Sequence, residues 1–258
     1  MPRRFGIDWD TYLSTFHAER AGVAEDVLSR ALNGEHTPHR WLARAVSARA
    51  GLVLDVACGS GAMSRELARP GRTVVGVDIS AAELALAAER GPGPWVRGDA
   101  LQLPFADDSV DAVVSSMGMV VVQPTETLLL ESARVLKPGG MLAFIAPTVR
   151  PLAPADLRIG LQLAQRLHSL PRFPGPLELT DFAATLRKFG LRKIEDGRER
   201  YRVVIRSRAD AELMVSALYL PATSWRRTES AIAFLAREVL EHGQVELAIP
   251  MRRIVALK

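Results

Sequence analysis

Between Leu52 and Ile145 the sequence alternates short runs of valine, leucine and isoleucine with helix-patterned stretches, and this alternation restricts the fold more than any other feature. The runs at Leu52 to Val56, Thr73 to Val77, Trp95 to Arg97, Val110 to Ser115 and Met141 to Ile145 read as strands. Continuous apolar character, rather than strict alternation, suits strands covered on both faces. Met63 to Ala68, Ala81 to Arg90 and Glu126 to Leu136 carry helical patterns between them. That order, with right-handed crossovers, predicts an α/β chain with a doubly wound, mostly parallel sheet.

Outside this stretch, Trp9 to Leu32 and Arg40 to Ala48 read as amphipathic helices separated by the turn-like Asn33-Gly34-Glu35-His36-Thr37-Pro38. Ala155 to His168 and Leu179 to Phe189 read as helices on either side of Pro171, Pro174, Gly175 and Pro176. Arg192 to Arg206 and Gln244 to Leu257 read as long strands around helices at Ala209 to Leu220 and Glu229 to Leu240, which brings the expected sheet to seven strands. No repeat or linker divides the 258 residues, so one domain is expected: an N-terminal helical cover at 1–50, a core at 51–147, a helical lid insertion at 148–190, and C-terminal strands and helices at 191–258.

With 48% hydrophobic and 24% charged residues, the chain has the makeup of a folded protein and not of a disordered or collagen-like one. Its one cysteine, Cys58, excludes a disulfide framework and a Cys-x-x-Cys zinc or redox pair. No apolar stretch reaches the roughly 18 residues of a membrane span. The start, Met1-Pro2-Arg3-Arg4-Phe5-Gly6-Ile7-Asp8, places an acid where a signal peptide needs its apolar segment, so a cytoplasmic protein without a membrane partner is expected. The net charge of +4 reflects an arginine excess spread along the chain among acids, only Lys137, Lys188, Lys193 and Lys258 being lysine. It reads as compositional bias rather than as a nucleic-acid surface.

The sharpest local signal is Val53-Leu54-Asp55-Val56-Ala57-Cys58-Gly59-Ser60-Gly61, a strand entering a small-residue turn that opens a helix. Small residues permit a tight path close to a ligand, and the helix start presents free N–H groups to an anionic group. A plain strand-to-helix turn fits a Gly-x-Gly equally well. Asp78 ends the next apolar run, seventeen positions after Gly61, where a carboxylate can accept both hydroxyls of a ribose. Capping the helix ahead of Ser80 and Glu83 is compatible with that role. Gly98-Asp99-Ala100 closes the third strand, where Asp99 suits the amino group of an adenine. A nicotinamide cofactor is the weaker reading, because Ser64 only partly meets the third small position of the dinucleotide fingerprint.

These segments, with Leu103-Pro104-Phe105 and Ala133-Arg134-Val135-Leu136-Lys137-Pro138-Gly139-Gly140, resemble the class I S-adenosylmethionine-dependent methyltransferases, especially the small-molecule branch that includes the ubiquinone and menaquinone biosynthesis enzymes. The resemblance covers about Leu52 to Ala146. It implies a Rossmann-like methyltransferase fold and transfer of a methyl group from S-adenosyl-L-methionine, leaving S-adenosyl-L-homocysteine, to an oxygen, nitrogen or carbon of a small-molecule metabolite. Residue by residue it implies a cofactor cradle. Ala57, Gly59, Ser60 and Gly61 lie against the methionine part, with Asp55 orienting the loop or the amino group. Asp78 serves the ribose and Asp99 with Ala100 the adenine, and Ile79 belongs to the same cofactor cradle. Ser116 and Met117 line the space between cofactor and acceptor, and Tyr12 closes over the methionine end. Ala57 stands where the family often has glycine, and Lys137 to Gly140 reads as a turn.

Methyl transfer from a sulfonium is an in-line displacement, to which proximity and orientation contribute up to roughly 7–11 kcal/mol and a general base roughly a further 100- to 10,000-fold. The base candidates are His17, His36, His39 and His168, with Asp10 and Tyr12; His17 and His168 lead because each lies on a helix expected to fold over the cofactor. Ser115-Ser116-Met117-Gly118-Met119 has no Asn-Pro-Pro-Tyr or Asp-Pro-Pro-Tyr segment, and there is no Pro-Cys nucleophile, so a nucleic-acid acceptor is not expected. Ala146-Pro147-Thr148 lacks the acid of the magnesium-dependent catechol type, so no metal is expected. Met117, Met119, Val120 to Val122, Trp9 and Phe173 suggest an apolar acceptor chamber, closed by Thr148 to Phe189 with the N-terminal helices. The alternative is a cofactor-binding cyclase or non-catalytic protein on the same fold. A monomer or homodimer is expected.

Overall fold

The computed structural model describes residues 6–178 and 182–258; Met1 to Phe5, read above for a signal peptide, and Leu179, the expected start of a helix, lie outside the described residues. Among the described residues, β1 (Leu52–Val56), β2 (Thr73–Asp78), β3 (Trp95–Arg97), β4 (Val110–Ser116), β5 (Leu136–Pro147), β6 (Arg192–Ile205) and β7 (Val245–Leu257) form one sheet in the order β3-β2-β1-β4-β5-β7-β6. The first five strands run parallel, and β7 is antiparallel to both its neighbours. The order reverses direction between β1 and β4, where Asp55 lies opposite Val114. Connections leave such a point towards opposite faces and open a crevice beyond the carboxyl ends of the strands.

The unbroken apolar runs have their reason in two cores. Val53, Ala112 and Val114 face one core, with Trp41, Met63 and Tyr201. Leu54, Val56 and Val113 face the other, with Leu128, Leu142 and Phe182. Burying each large apolar side chain contributes roughly 1.5–3 kcal/mol, so the strand tips that border the crevice are held firmly from both sides.

The connecting helices are α4 (Ala62–Leu67), α5 (Ala81–Arg90) and α7 (Thr125–Val135), preceded by the cover α1 (Trp9–Glu19), α2 (Val23–Leu28) and α3 (Pro38–Ala43). The single helix expected over Trp9 to Leu32 is two helices. Gly22 takes a φ of 79° between them, and a Cβ there would lie 2.5 Å from Leu86 Cδ2, so glycine is what lets the cover turn down onto α5. Thr37 caps α3, with Pro38 at its first position, and that helix ends at Ala43, short of the expected Ala48. A short helix that the sequence reading lacks, α6 (Gly118–Val121), follows β4. Lys137 to Gly140 is not a free turn but the bulged start of β5, between the pairs Val110–Leu136 and Ala112–Met141, at the amino end of the sheet and away from the crevice.

After β5 come α8 (Pro154–Leu167) and α9 (Phe182–Lys188), then α10 (Arg208–Ser216) and α11 (Trp225–His242) between β6 and β7. α8 packs on α11 and β7. The proline-rich segment after α8 runs back to the crevice: Arg172 N–H donates to the Tyr219 carbonyl (3.0 Å) and Gly175 N–H to the Val120 carbonyl (2.9 Å). Among the described residues no helix is long and apolar enough to cross a membrane.

Candidate functional site

The loop from β1 to α4 carries three left-handed residues, Ala57 (φ 56°), Gly59 (φ 52°) and Gly61 (φ 85°). At Gly61 the requirement for glycine is twofold, since a Cβ would also lie 2.5 Å from the Trp95 ring. Ala57 adopts the same region at a cost of roughly 1–2 kcal/mol. Its methyl group crowds the next element: a Cβ on Gly118 would lie 3.2 Å from Ala57 Cβ and 2.2 Å from Ser115 Oγ, so the start of α6 is glycine too.

Three carboxylates gather around this loop. Asp78, at the tip of β2, accepts from Gly59 N–H (2.8 Å) and Ser80 N–H (2.9 Å), which ties the loop to the neighbouring strand. The helix cap is Ser80, not Asp78: its hydroxyl accepts from Glu83 N–H (3.4 Å). Asp55 is wholly buried; its Oδ2 accepts from Ser64 Oγ–H (2.7 Å), and among the described residues its Oδ1 has no partner. Burial pushes the Asp55 carboxyl up to about 7, helped by the charge of Asp78 and opposed by the bonds from Ser64. Burial raises Asp78 as well. Glu83, only 3% exposed, accepts from Gly22 N–H (3.0 Å) and lies 2.8 Å from His17 Nδ1. Among the described residues none of the three is ion-paired to lysine or arginine; Arg65 and Arg90, beside the loop, pair instead with Glu25.

The remaining cradle residues take distinct places. Ser60 Oγ–H donates to Glu25 (2.5 Å), while Arg65 and Arg90 also pair with Glu25, fastening α2 over the loop. Asp99 is exposed and accepts from Leu101 N–H (2.8 Å), with Ala100 buried behind it. Ile79 is 67% exposed, open to solvent beside Asp78. Met117 (φ 71°) begins α6, its N–H donating to the Ile145 carbonyl (2.9 Å). Ser116 Oγ lies 3.3 Å from Nε2 of His39, a buried imidazole that desolvation pushes down to about 4 and so keeps neutral.

Tyr12 belongs to an aromatic group rather than to the loop. Its oxygen accepts from Leu220 N–H (2.8 Å), and its ring meets Tyr219 edge-on at 6.2 Å. His17 has both ring nitrogens engaged, Nδ1 with Glu83 and Nε2 with the Tyr219 hydroxyl (3.0 Å). His168 stands apart, an exposed left-handed residue (φ 51°) ending α8. His36 bonds Glu199 (2.9 Å) against β6, and Asp10 is exposed. The fold therefore assembles Asp55, Ala57 to Gly61, Asp78, Ser116 and Met117 at one edge, with His39 and His17 bordering it. Glu83 and Tyr219 are the participants that the sequence reading missed. Glu83 sits at the third position of α5, where a glutamate ordinarily signals only a capped helix, and Tyr219 falls within the helix expected at Ala209 to Leu220. Two cavities, of about 490 Å³ beside Tyr12 and Trp225 and about 310 Å³ beside Asp156 and His242, are lined by none of the loop residues.

Residues 54–144 match the methyltransferase domain family. The chain is 42% identical over 139 residues to the demethylmenaquinone methyltransferase of Streptomyces avermitilis, covering 52% of this chain and 59% of that protein. It is 39% identical over 157 residues to the enzyme of the same name from Beutenbergia cavernae, covering 60% and 65%. The chain thus spans about six-tenths of the length of these curated relatives. Among solved structures, the [4+2]-cyclase SpnF shares the fold with a TM-score of 0.61 at 19% identity, over 95% of this chain and 94% of that one.

Proposed function

We propose that the protein, whose residues 54–144 match the methyltransferase domain family and which is about 40% identical to demethylmenaquinone methyltransferases over part of its length, transfers the methyl group of S-adenosylmethionine to a nucleophilic atom of a small-molecule metabolite. The observation that carries this reading is the unpartnered Asp55 oxygen, buried beside a left-handed loop among carboxylates that lack lysine or arginine partners. A ligand carrying an ammonium and a sulfonium fits that deficit, whereas the pyrophosphate of a dinucleotide would meet like charge there.

When bound, S-adenosylmethionine supplies a methyl group made electrophilic by a positively charged sulfur. The residues of the chain hold and orient. Asp55 balances the ligand's positive charge, and Ala57, Gly59, Ser60 and Gly61 bring main chain close to its amino-acid tail. Asp78 offers its remaining lone pairs to the ribose hydroxyls, while Ile79, Asp99 and Ala100 frame the adenine. Ser116 and Met117 face the acceptor. For that acceptor we favour a hydroxylated aromatic ring: the curated relatives are named for demethylmenaquinone, and the apolar group of Phe16, Phe173, Tyr219 and Val121 is joined through His17 to Glu83 beside the loop. The cover and the segment after α8 exclude water when they close, and amide exchange in both should slow with S-adenosylhomocysteine.

Calorimetry with S-adenosylmethionine and with NAD, followed by assay for S-adenosylhomocysteine with hydroxyarene, amine and carboxylate acceptors, tests the reading. Binding with turnover is expected. Binding without turnover on any acceptor would favour the cyclase or non-catalytic alternative, and absence of binding would overturn both.

A further inference from the structure

We propose that Glu83, His17 and Tyr219 form a proton relay that removes the acceptor's proton during methyl transfer, an assignment that rests on the methyltransferase reading above. The three groups are collinear in chemistry. The relay uses the tautomer with its hydrogen on Nδ1, from which His17 donates to Glu83 Oε1 across the 2.8 Å contact. His17 Nε2 is then the acceptor in the 3.0 Å contact with the Tyr219 hydroxyl, which donates. Burial, with the charges of Glu83, Tyr12 and Asp78, holds Tyr219 well above the usual phenol range and keeps it a donor. Glu83 has no freedom to turn away, its other oxygen being fixed by Gly22 N–H at 3.0 Å.

Placement supports the same role. Glu83 Oε2 lies 3.6 Å from the point where a Cβ on Gly59 would sit, so the inner end of the relay borders the cofactor loop. At the outer end, the Tyr219 ring is met edge-on by Phe16 at 4.7 Å and lies 5.5 Å from Phe173, so its hydroxyl belongs to an aromatic cluster. A structural clasp would not need this chemistry. Buried polar pairs stabilise less than apolar packing of the same volume, and the cover is already fastened by Glu25 with Arg65 and Arg90. The other charged or titratable groups around His17 are Asp78 at the tip of β2, Tyr12 and Arg20 on its own helix, and Arg90 on α5, which is paired with Glu25 and Asp26.

The acceptor's O–H bond breaks and its proton passes to Tyr219 Oη, while Tyr219's own proton passes to His17 Nε2. The freed electron pair, on oxygen or delocalised to a ring carbon, forms the bond to the methyl carbon as the C–S bond breaks and leaves its pair on sulfur. With oxygen as nucleophile, one proton remains on His17, opposite Glu83, and leaves to solvent with the products. With a ring carbon, loss of the ring proton then restores aromaticity and the hydroxyl retakes a proton. Glu83 acts through His17 and is a positioning residue.

The test uses the full chain with S-adenosylmethionine and 1,4-dihydroxynaphthalene, comparing Tyr219→Phe, His17→Gln and Glu83→Gln. His17→Gln should lower kcat about 100-fold and abolish the acid limb of its pH profile, with the KM for S-adenosylmethionine within about twofold of the parent, which a merely structural role would not spare. Glu83→Gln should move that limb, and Tyr219→Phe should lower kcat with melting temperature unchanged. Nitrogen NMR of His17 should show the hydrogen on Nδ1. Full kcat with an unaltered pH profile in Tyr219→Phe and His17→Gln, or the hydrogen found on Nε2, overturns the relay and leaves the methyltransferase reading standing. Bound S-adenosylmethionine without product from the naphthalenediol or from catechol removes the hydroxyarene acceptor and the relay together, whereas failure to bind S-adenosylmethionine strikes the underlying function.

Discussion

The two sides of the crevice are built in different ways. The side proposed for the donor, from Asp55 to Asp99, is a set of consecutive strand tips whose contacts are mostly main chain to side chain, such as Gly59 N–H to Asp78 across 19 positions. The side proposed for the acceptor is made of side chains drawn from distant parts of the sequence, His17 meeting Tyr219 across 202 positions. Backbone geometry fixes the first; packing of the cover against the turn after α10 fixes the second. A site divided this way can keep the strand tips while its other side changes, provided that Glu25 and Gly22, which tie the cover to the loop and to Glu83, are retained.

The largest expected effect breaks the donor side at its backbone. Gly61→Val combines a left-handed φ with a clash against Trp95 and should cost about 3 kcal/mol, seen as a fall in melting temperature and roughly 100-fold weaker cofactor affinity. Retained affinity would show that the loop does not need its conformation. Next comes Asp78→Ala, which removes both the loop tether and the proposed ribose partner. Calorimetry with S-adenosylhomocysteine should register a loss of about 1–3 kcal/mol, and unchanged binding would withdraw the residue from the site.

Two buried titratable groups sharpen the comparison through pH. The Asp55 carboxyl stands at about 7 when folded against 3.8 otherwise. The folded state therefore holds the extra proton in that window, and this contribution to stability falls as pH rises through it. His39 stands at about 4 against 6.5, so the unfolded state holds the extra proton and stability rises with pH over that range. Each slope is at most about 1.4 kcal/mol per pH unit, and the two oppose one another. Denaturant titrations from pH 4 to 7.5 should show stability rising with pH in Asp55→Asn, where only His39 remains, and falling in His39→Gln, where only Asp55 remains; identical curves for the two variants would discard both assignments. The smallest effect belongs to His168→Ala, within about 0.5 kcal/mol in stability and without change in kcat, since that residue is an exposed helix end. A marked loss of turnover there would return it to the list of bases.

The same division explains what the sequence disclosed. Sheet class, strand positions and the donor loop follow from residues whose neighbours lie within one strand–helix unit, and Asp55, Gly59, Gly61 and Asp78 all gather where their order along the chain put them. Gly22 was hidden because a glycine inside an amphipathic pattern reads as a tolerated defect, and only the approach of Leu86 shows why a side chain is excluded. The bulge at Lys137 to Gly140 reads as a turn in the sequence because glycine and proline mark both, and the partner that makes it a strand, Lys258, is far along the chain. The helix that carries His17 is legible, but the residues that engage the imidazole, Glu83 and Tyr219, do not follow from spacing.

The place of β7 between β5 and β6 has a consequence for synthesis. As the ribosome releases the chain, β6 emerges first, yet the strand that joins it to the sheet does not exist until α10, α11 and β7 have followed. For that interval β6 is an orphan ribbon, the kind of segment that seeks partners in other nascent chains. Arg192, Lys193, Glu195, Asp196, Arg198, Glu199, Arg200 and Arg202 make it strongly charged along most of its length, which keeps the waiting ribbon soluble until its neighbour arrives.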